Sequence, residues 1–144
     1  MGRQSRDSRR TRVAAEAGTA PAPDFGRALV AMALAWAIPG AGHLWLGRRQ
    51  KGLVFLLALP VMFGLGLGLE GALAPFDPSQ PLVLLAAFAE LGNGVPYLLA
   101  ALAGLGEGRV VAATFEYGNT FLIVSGLLNM LICLDAYDAA LGRK

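Results

Sequence analysis

The sequence predicts an all-α membrane protein with about four transmembrane helices in a small bundle. Of its 144 residues, 56% are hydrophobic and only 15% are charged, whereas soluble domains carry about 25% charged residues. Residues 1–27 hold six of the twelve basic residues, so the remainder has too few charges to cover a surface in water. Its apolar runs do not alternate in polarity as the strands of a membrane barrel do.

We predict two parts, a disordered basic cytoplasmic tail at residues 1–24 and a single helical transmembrane domain at residues 25–144. The tail is rich in Arg, Ser, Ala and Pro and shows no apolar period. No aromatic residues separate its arginines, which favours an anionic membrane surface over nucleic acid as the partner. Asp24 is a suitable N-cap for the helix that follows.

The first apolar run, residues 28–46, contains a Pro-Gly break. Its uninterrupted part, residues 28–38, would form a helix of about 16 Å, which is short for a hydrocarbon core of about 30 Å. Continued through Pro39 and Gly40 the run can span the membrane, and broken there it forms a re-entrant hairpin. The run also has features of a signal peptide, but apolar sequence resumes directly after it.

Three further apolar runs complete the predicted bundle. They cover residues 53–69, 82–103 and 120–134. Pro60 is predicted to kink the second run, and the pair Gly64 and Gly68 has a spacing that lets another helix approach closely. The last run reaches twenty residues if it is extended back to Phe115.

Orientation follows from the distribution of basic residues, which favours the cytoplasmic side. Four full spans with both termini inside place eight basic residues in the cytoplasm and four outside. A re-entrant first run, followed by three spans, gives ten inside and two outside. We favour four spans with a cytoplasmic amino terminus, because that topology is simpler, while the hairpin obeys the charge rule better.

Two polar stripes lie within the apolar runs. The first consists of Glu90, Asn93 and Tyr97, and the second of Ser125, Asn129 and Cys133. A charge at mid-bilayer costs about 2.5–3.5 kcal/mol, so Glu90 is expected to turn inward. We expect the stripes to meet and to fix helix register through hydrogen bonds. The alternative is a polar path for a proton, an ion or a small solute.

A glycine-rich basic motif joins the first two runs. Its sequence is Pro39-Gly40-Ala41-Gly42-His43-Leu44-Trp45-Leu46-Gly47-Arg48-Arg49-Gln50-Lys51-Gly52. Pro39, Gly40 and Gly42 suit a turn in the backbone, while Trp45 and the basic residues suit a membrane interface with anionic headgroups. Gly47 and Gly52 bracket the basic turn.

This segment resembles the Pro-Gly-x-Gly-His-x-x-x-Gly-Arg-x-x-x-Gly signature of the TM-two domain superfamily, small bacterial membrane proteins built on a two-helix hairpin. Residues 116–144 look like the end of a longer bacterial family of unknown function. The resemblance implies a helical hairpin, a bacterial cytoplasmic membrane and no established chemistry. The sequence departs from the signature where Leu44-Trp45 stands in place of an aromatic pair.

The sequence contains no catalytic constellation, and we predict neither an enzyme nor a bound cofactor. His43 is the only histidine and Cys133 the only cysteine, so a metal site is not predicted. His43 is expected to pair with Glu90 or Asp135, or to contact lipid phosphate. Asp135 and Asp138 are expected at a solvated helix end.

Three functions are compatible with these features. The first is a non-enzymatic scaffold or accessory subunit that packs against other membrane helices or its own copies. The second is a small oligomeric transporter or channel with a polar path around Glu90. The third and weakest is a lipid-acting enzyme that uses His43 or the pair Asp135 and Asp138.

Overall fold

The computed structural model describes residues 24–143, and this part of the chain is helical apart from loops and one isolated bridge. Within it the helices are α1 (Phe25–Ala37), α2 (Ala41–Trp45), α3 (Arg49–Gly68), α4 (Pro81–Leu91), α5 (Val95–Leu102) and α6 (Phe115–Ala140). The all-α class predicted from the sequence is confirmed. The predicted tail, apart from Asp24, lies outside the described residues.

Helix α1 is short because both of its ends are fixed by local chemistry. The Asp24 carboxylate accepts a hydrogen bond from the Arg27 backbone N–H at 3.0 Å, which is the predicted N-cap. The helix ends after 13 residues at Ala37, where Ile38 is extended. Gly40 then adopts a φ of 85°, a left-handed conformation that glycine adopts without a Cβ penalty.

Helix α2 packs back against α1 after this break. Gly42 touches the Ala31 backbone so closely that a Cβ at position 42 would clash with the Ala31 carbonyl oxygen. At the end of α2, the Trp45 ring lies 5.9 Å from the guanidinium carbon of Arg27, at the beginning of α1. The chain therefore reverses direction between Ala37 and Ala41.

Helices α3 and α6 form an antiparallel pair that runs the length of the bundle. The first turn of α3 lies beside the end of α6, where Lys51 Nζ is 3.4 Å from Asp135 Oδ2. At the opposite end, Gly66 of α3 packs against Leu122 of α6. Helix α3 continues through Pro60 for 20 residues, and α6 contains 26 residues.

Gly64 and Gly68 do not pack against any described part of the chain. Both residues are exposed, and a Cβ built at either position would have no neighbouring atom within 4 Å. Their side of α3 is otherwise apolar and exposed, with Leu57 and Val61 on it. The predicted close approach of another helix at this pair is therefore not made within residues 24–143.

The third apolar run forms two helices instead of the continuous helix that the sequence predicted. Helix α4 ends at Leu91 and α5 begins at Val95, with a bend of 113° between them. Gly94 adopts a φ of 63°, which ends regular helix, and Pro96 lies in the first turn of α5, where its missing N–H is tolerated.

The two loops that flank this bent pair are held together. The Leu73 N–H donates to the Gly106 carbonyl at 2.8 Å, and the Arg109 N–H donates to the Glu70 carbonyl at 3.0 Å. The loop before α4 also contains Asp77, whose carboxylate accepts hydrogen bonds from Ser79 and Gln80 that lower its pKa. Both ends of the α4–α5 unit therefore lie on the same side of the bundle, near the end of α3.

By length and composition, α3 and α6 are suited to cross a membrane, and α4 with α5 adds a third candidate if the bent pair is one span. Helix α1 is apolar but has only 13 residues. The described residues thus provide two or three candidate spans, as expected of a membrane protein. The predicted bundle of four spans is not confirmed.

Candidate functional site

The two helix breaks meet at Asn129, near the middle of α6. The Asn129 side-chain amide donates to the carbonyl of Trp36, in the last turn of α1, at 3.3 Å, and to the carbonyl of Gly92, just after α4, at 2.8 Å. The final carbonyls of a helix have no partner within the helix. One fully buried side chain thus supplies a hydrogen-bond donor to both breaks.

Trp36 links the breaks a second time. Its indole N–H donates to the Leu91 carbonyl, at the end of α4, at 3.2 Å. Gly94 lies against the Trp36 backbone, and a Cβ at position 94 would clash with the Trp36 carbonyl oxygen. The end of α1 and the break between α4 and α5 are therefore in direct contact, with α6 alongside.

Asn93 and Ser125 complete the polar part of this junction. The Asn93 amide donates to the carbonyls of Glu90 at 3.0 Å and Leu122 at 3.3 Å. The Ser125 hydroxyl donates to the Leu122 carbonyl of its own helix at 2.8 Å. Both residues are almost fully buried. Together with Asn129, they form one buried cluster from members of both predicted polar stripes, which we call the amide junction.

The amide junction depends on the absence of a side chain at Gly126. A Cβ at this position would clash with the Ala89 carbonyl oxygen and would lie 2.9 Å from the Asn93 amide nitrogen. Gly126 therefore allows α4 to contact the backbone of α6. Such close approach of small residues is common where helices pack in membranes.

Glu90 lies beside the amide junction and faces the loop that precedes α4. Its carboxylate accepts a hydrogen bond from the Ala74 backbone N–H at 2.8 Å, and the residue is 1% exposed. Glu90 also lines a cavity of about 350 Å³ together with Asn119. The Asn119 side-chain oxygen accepts a hydrogen bond from the Ala72 N–H at 2.8 Å.

Tyr97 does not share a helix face with Glu90 and Asn93, contrary to the sequence prediction. The predicted spacing required one continuous helix, but the break puts Glu90 on α4 and Tyr97 on α5. Tyr97 instead packs with Phe63 and Leu122 in an apolar cluster. The second predicted stripe does form one face. Ser125, Asn129 and Cys133 are all buried on α6, which is a single continuous helix.

A second group, which we call the charged cluster, lies at the end of α6. His43 Nε2 is 2.9 Å from Asp135 Oδ2, and Lys51 Nζ is 3.4 Å from the same oxygen. His43 is fully buried, and its ring packs edge to face against Phe55 at 5.2 Å. Of the partners that the sequence offered for His43, the structure brings Asp135 to it.

The remaining motif residues bring α2 and α3 together. Pro39 is fully buried, and a Cβ at Gly40 would clash with the Gly52 carbonyl oxygen. Gly47 has a φ of 79° and turns the chain towards α3. Arg48 precedes α3 as its N-cap residue.

Asp138 lies one turn after Asp135 and has a different partner. Its carboxylate is 3.6 Å from Arg143 Nη1, and both side chains are largely exposed. The two carboxylates predicted at a solvated helix end therefore have separate environments. Only Asp135 contacts the buried histidine.

Two buried polar atoms have no hydrogen-bond partner in the described residues. They are His43 Nδ1 and the Asn129 side-chain oxygen. Residues 24–143 contain no group of three or more His, Cys, Asp or Glu side chains that could hold a metal ion. The arrangement of donors and carbonyls is therefore suited to joining helices, and Glu90 provides the carboxylate that faces a cavity.

Sequence reasoning missed Trp36, Gly92 and Gly94 as members of the junction. The available signal was the pair Gly92 and Gly94 two residues before Pro96, which resembles the glycine-proline pattern of the first break. The contact to Trp36 had no local signal, because Trp36 and Asn129 are 93 positions apart. Gly126 was missed for the same reason.

Comparison with known proteins adds a family but no activity. The sequence model of a family described as a family of unknown function, DUF6677, matches residues 30–144. The match covers α2 to α6 and most of α1. Comparisons with curated proteins and with solved structures found no match.

Proposed function

This chain belongs to the DUF6677 family of unknown function, and we propose that it is a non-enzymatic scaffold or accessory subunit of a membrane complex. The observation that carries the proposal is the amide junction. Asn129 donates to the Trp36 and Gly92 carbonyls at the two helix breaks, and in a bilayer such groups need partners within the protein. Asn93, at the second break, donates to the Leu122 carbonyl and so joins this break to α6. This use of the amides to join helices supports a role for them in stabilising the fold.

The charged cluster supports a non-enzymatic role. His43 is fully buried, so a substrate cannot reach its ring. Its contact with Asp135 instead joins α2 to α6, and Lys51 brings α3 to the same carboxylate. This arrangement argues against the lipid-acting enzyme that used His43 and Asp135.

We further propose that α1 with α2, and α4 with α5, are two re-entrant hairpins that enter the bilayer from opposite sides. Trp45, at the end of α2, lies beside Arg27, at the beginning of α1. Leu73 and Gly106, which flank the second hairpin, are hydrogen-bonded to each other. Helices α3 and α6 are then the two full spans, and the hairpin tips meet at Asn129.

The basic residues support this topology better than either arrangement predicted from the sequence. With two hairpins and two spans, the side that carries both termini holds eleven of the twelve basic residues, and the other side holds Arg109. The positive-inside rule makes the first side cytoplasmic. Together with the resemblance of residues 39–52 to the TM-two signature, this supports a bacterial cytoplasmic membrane with anionic headgroups facing the basic turn.

The topology is testable with single cysteines in a Cys133→Ala background. Two hairpins predict that Gln50→Cys reacts with a membrane-impermeant maleimide only from the cytoplasmic side, and Ser79→Cys only from the outside. Four spans predict the reverse for both positions. Accessibility of Gln50→Cys from outside would therefore refute the first hairpin. The second hairpin is tested by Val111→Cys, which follows α5 and is 91% exposed. A hairpin places it on the same side of the membrane as Ser79→Cys, so labelling of these two cysteines from opposite sides would refute the second hairpin.

The exposed side of α3 is the surface on which we expect a partner helix. Leu57 and Val61 are 66% and 59% exposed there, and Gly64 and Gly68 leave open space in front of the backbone. A second helix, from another protein or from a second copy, can approach closely at such a pair. This surface, together with the internal use of the polar residues, supports the proposed accessory role.

A pull-down from mild detergent with quantitative mass spectrometry tests this role. We expect specific membrane proteins, or additional copies of the chain, to be recovered with the wild type and to fall about tenfold with Gly64→Leu, a change of about 1.4 kcal/mol in association. Ala101→Leu on α5 is the control, because it adds the same side chain at an exposed helical position away from α3. A stable monomer with no recovered partner would contradict the proposal.

A small oligomeric transporter is the second candidate, and the cavity beside Glu90 is the observation that favours it. Proteoliposome flux separates the two. The accessory role predicts proton and cation flux no greater than that of empty liposomes, and no change with Glu90→Gln. Flux that requires Glu90 and Asn129 would support the transporter and refute the accessory role.

A further inference from the structure

Glu90 is a buried carboxylate whose charge has no cationic partner among the described residues. It is 1% exposed, and the ion pairs of residues 24–143 do not include it. Its hydrogen bond comes from the neutral backbone N–H of Ala74. An ionised carboxylate in such surroundings requires a compensating cation or a proton, and an ionisable group within apolar helices indicates a functional site.

The cavity beside Glu90 has the size of a small-molecule site. Its volume is about 350 Å³, within the range of about 300–1,000 Å³ typical of ligand pockets. The walls are mainly apolar, and they include Val83, Ala86 and Ile123. A second apolar cavity of about 360 Å³ shares Ala86 and Ile123 with the first, so apolar surface continues from the carboxylate along α4 and α6.

The chemistry of the walls selects among possible cations. A metal ion such as Ca²⁺ needs six or more oxygen ligands, whereas only two of the side chains that line this cavity carry oxygen, Glu90 and Asn119. The Asn119 oxygen already accepts from the Ala72 N–H. An ammonium group has three donors and needs fewer acceptors. The volume suits one small apolar body and is too small for the two acyl chains of a phospholipid.

We propose that this cavity binds a small primary amine with an apolar body, with the ammonium group donating to the Glu90 carboxylate and the body packing against Ala86 and Ile123. The pairing is a charge-assisted hydrogen bond in apolar surroundings, which is stronger than a neutral one. The site lies away from the exposed side of α3 and does not depend on the accessory role.

Fluorine NMR with para-fluorobenzylamine tests the site in the full chain reconstituted in phosphatidylcholine nanodiscs, with empty nanodiscs subtracted. We expect a saturable shift of the fluorine signal. The neutral isostere para-fluorobenzyl alcohol should bind about tenfold more weakly, because it cannot form the ion pair. Equal affinity of amine and alcohol, or no saturation, would overturn the proposal.

Two variants locate the binding. Glu90→Gln retains an acceptor for the Ala74 N–H but removes the charge, and we expect it to weaken amine binding about tenfold, whereas Glu116→Gln, an exposed carboxylate on α6, should change nothing. Ala86→Phe should abolish binding by filling the cavity. Wild-type affinity in Glu90→Gln or Ala86→Phe would overturn the site.

The test does not depend on the folding of Glu90→Gln, and it distinguishes a small amine from a lipid headgroup. If Glu90→Gln does not fold, the amine and alcohol comparison on the wild type and the Ala86→Phe variant still decide the outcome. Nanodiscs that contain phosphatidylethanolamine should leave amine affinity unchanged. A loss of amine binding in those nanodiscs would mean that the lipid headgroup occupies the site and would overturn the small-amine assignment.

Discussion

The two helix breaks in this bundle are held in place by different contacts. At the first break, α2 packs back on α1 through Gly42, and its outer end is held by charge, where His43 contacts Asp135. At the second break, α4 and α5 are bent by 113°, no ion pair of the described residues is involved, and the Gly92 carbonyl accepts from Asn129, which also donates to Trp36 at the first break. The ion pair lies at the edge of the bundle and uncharged amides join the breaks at its centre, which suits the cost of burial, because a buried charge is far more expensive than a buried amide. Glu90 is the buried carboxylate that departs from this pattern.

Gly94→Ala is the change with the largest expected effect, because it strains the second break in two ways. The residue has a φ of 63°, and the new Cβ would clash with the Trp36 carbonyl oxygen. We expect a loss of about 3 kcal/mol in the free energy of unfolding, measured by chemical unfolding in bicelles. Gly104→Ala is the control, because Gly104 has a φ of 67° but no neighbour within 4 Å. It measures the cost of the left-handed backbone alone, and we expect it to lower the free energy of unfolding by about 1 kcal/mol.

Gly42→Ala is the matching change at the first break, where a clash occurs without a left-handed backbone. An intermediate loss of about 2 kcal/mol is expected. Similar losses for Gly94→Ala and Gly104→Ala would show that the contact between the two breaks contributes little to stability. The loss at Gly94 would then come from its left-handed backbone alone.

Asn129→Leu comes next, because it removes the donor that both breaks share. We expect a loss of about 2 kcal/mol, since two carbonyls lose a partner in apolar surroundings. Asn93→Leu also removes two donated bonds, but neither reaches α1. Thiol labelling of Ile38→Cys in a Cys133→Ala background should therefore increase with Asn129→Leu and stay constant with Asn93→Leu. Equal labelling in both would contradict a joint role for Asn129.

Asp135→Asn should have the smallest effect of these four changes, because the charged cluster is partly exposed. The Asp135 side chain is 19% exposed and that of Lys51 is 50% exposed. A loss of about 1 kcal/mol at low salt is expected, and it should shrink as added salt screens the ions. Asp138→Asn is the control, since its exposed pair with Arg143 should contribute almost nothing. The loss caused by Asn129→Leu should not change with salt.

The sequence identified the first break but not the second, and the reason is physical. Pro39 and Gly40 lie between two basic segments, so the break could be recognised from its composition. Gly92 and Gly94 lie inside an apolar run of sufficient length to span, and glycine is common in membrane helices. Gly94 and Pro96 permit a break there, but the contact of Gly94 with Trp36 is a tertiary interaction that the local sequence does not encode.

The polar side chains of the amide junction could be predicted from the sequence, but their hydrogen-bond partners could not. Asn93, Ser125 and Asn129 stand out because amides and hydroxyls are costly in apolar segments unless they are hydrogen-bonded, and the structure gathers them in one cluster. Their partners are backbone carbonyls, which every residue carries, so no sequence pattern could indicate them. Tyr97 was grouped with Glu90 only because a continuous helix was assumed.

The separation of partners along the chain has a consequence for how the protein is made. Asn129 and Trp36 are 93 positions apart, and Asp135 and His43 are 92 apart. The hydrogen bonds that complete the first hairpin therefore cannot form until the ribosome has produced almost the entire polypeptide. A nascent chain that has released only the first two helical segments must keep the carbonyls of Trp36 and its neighbours in contact with water, the insertion machinery or an assisting protein until the last helix arrives.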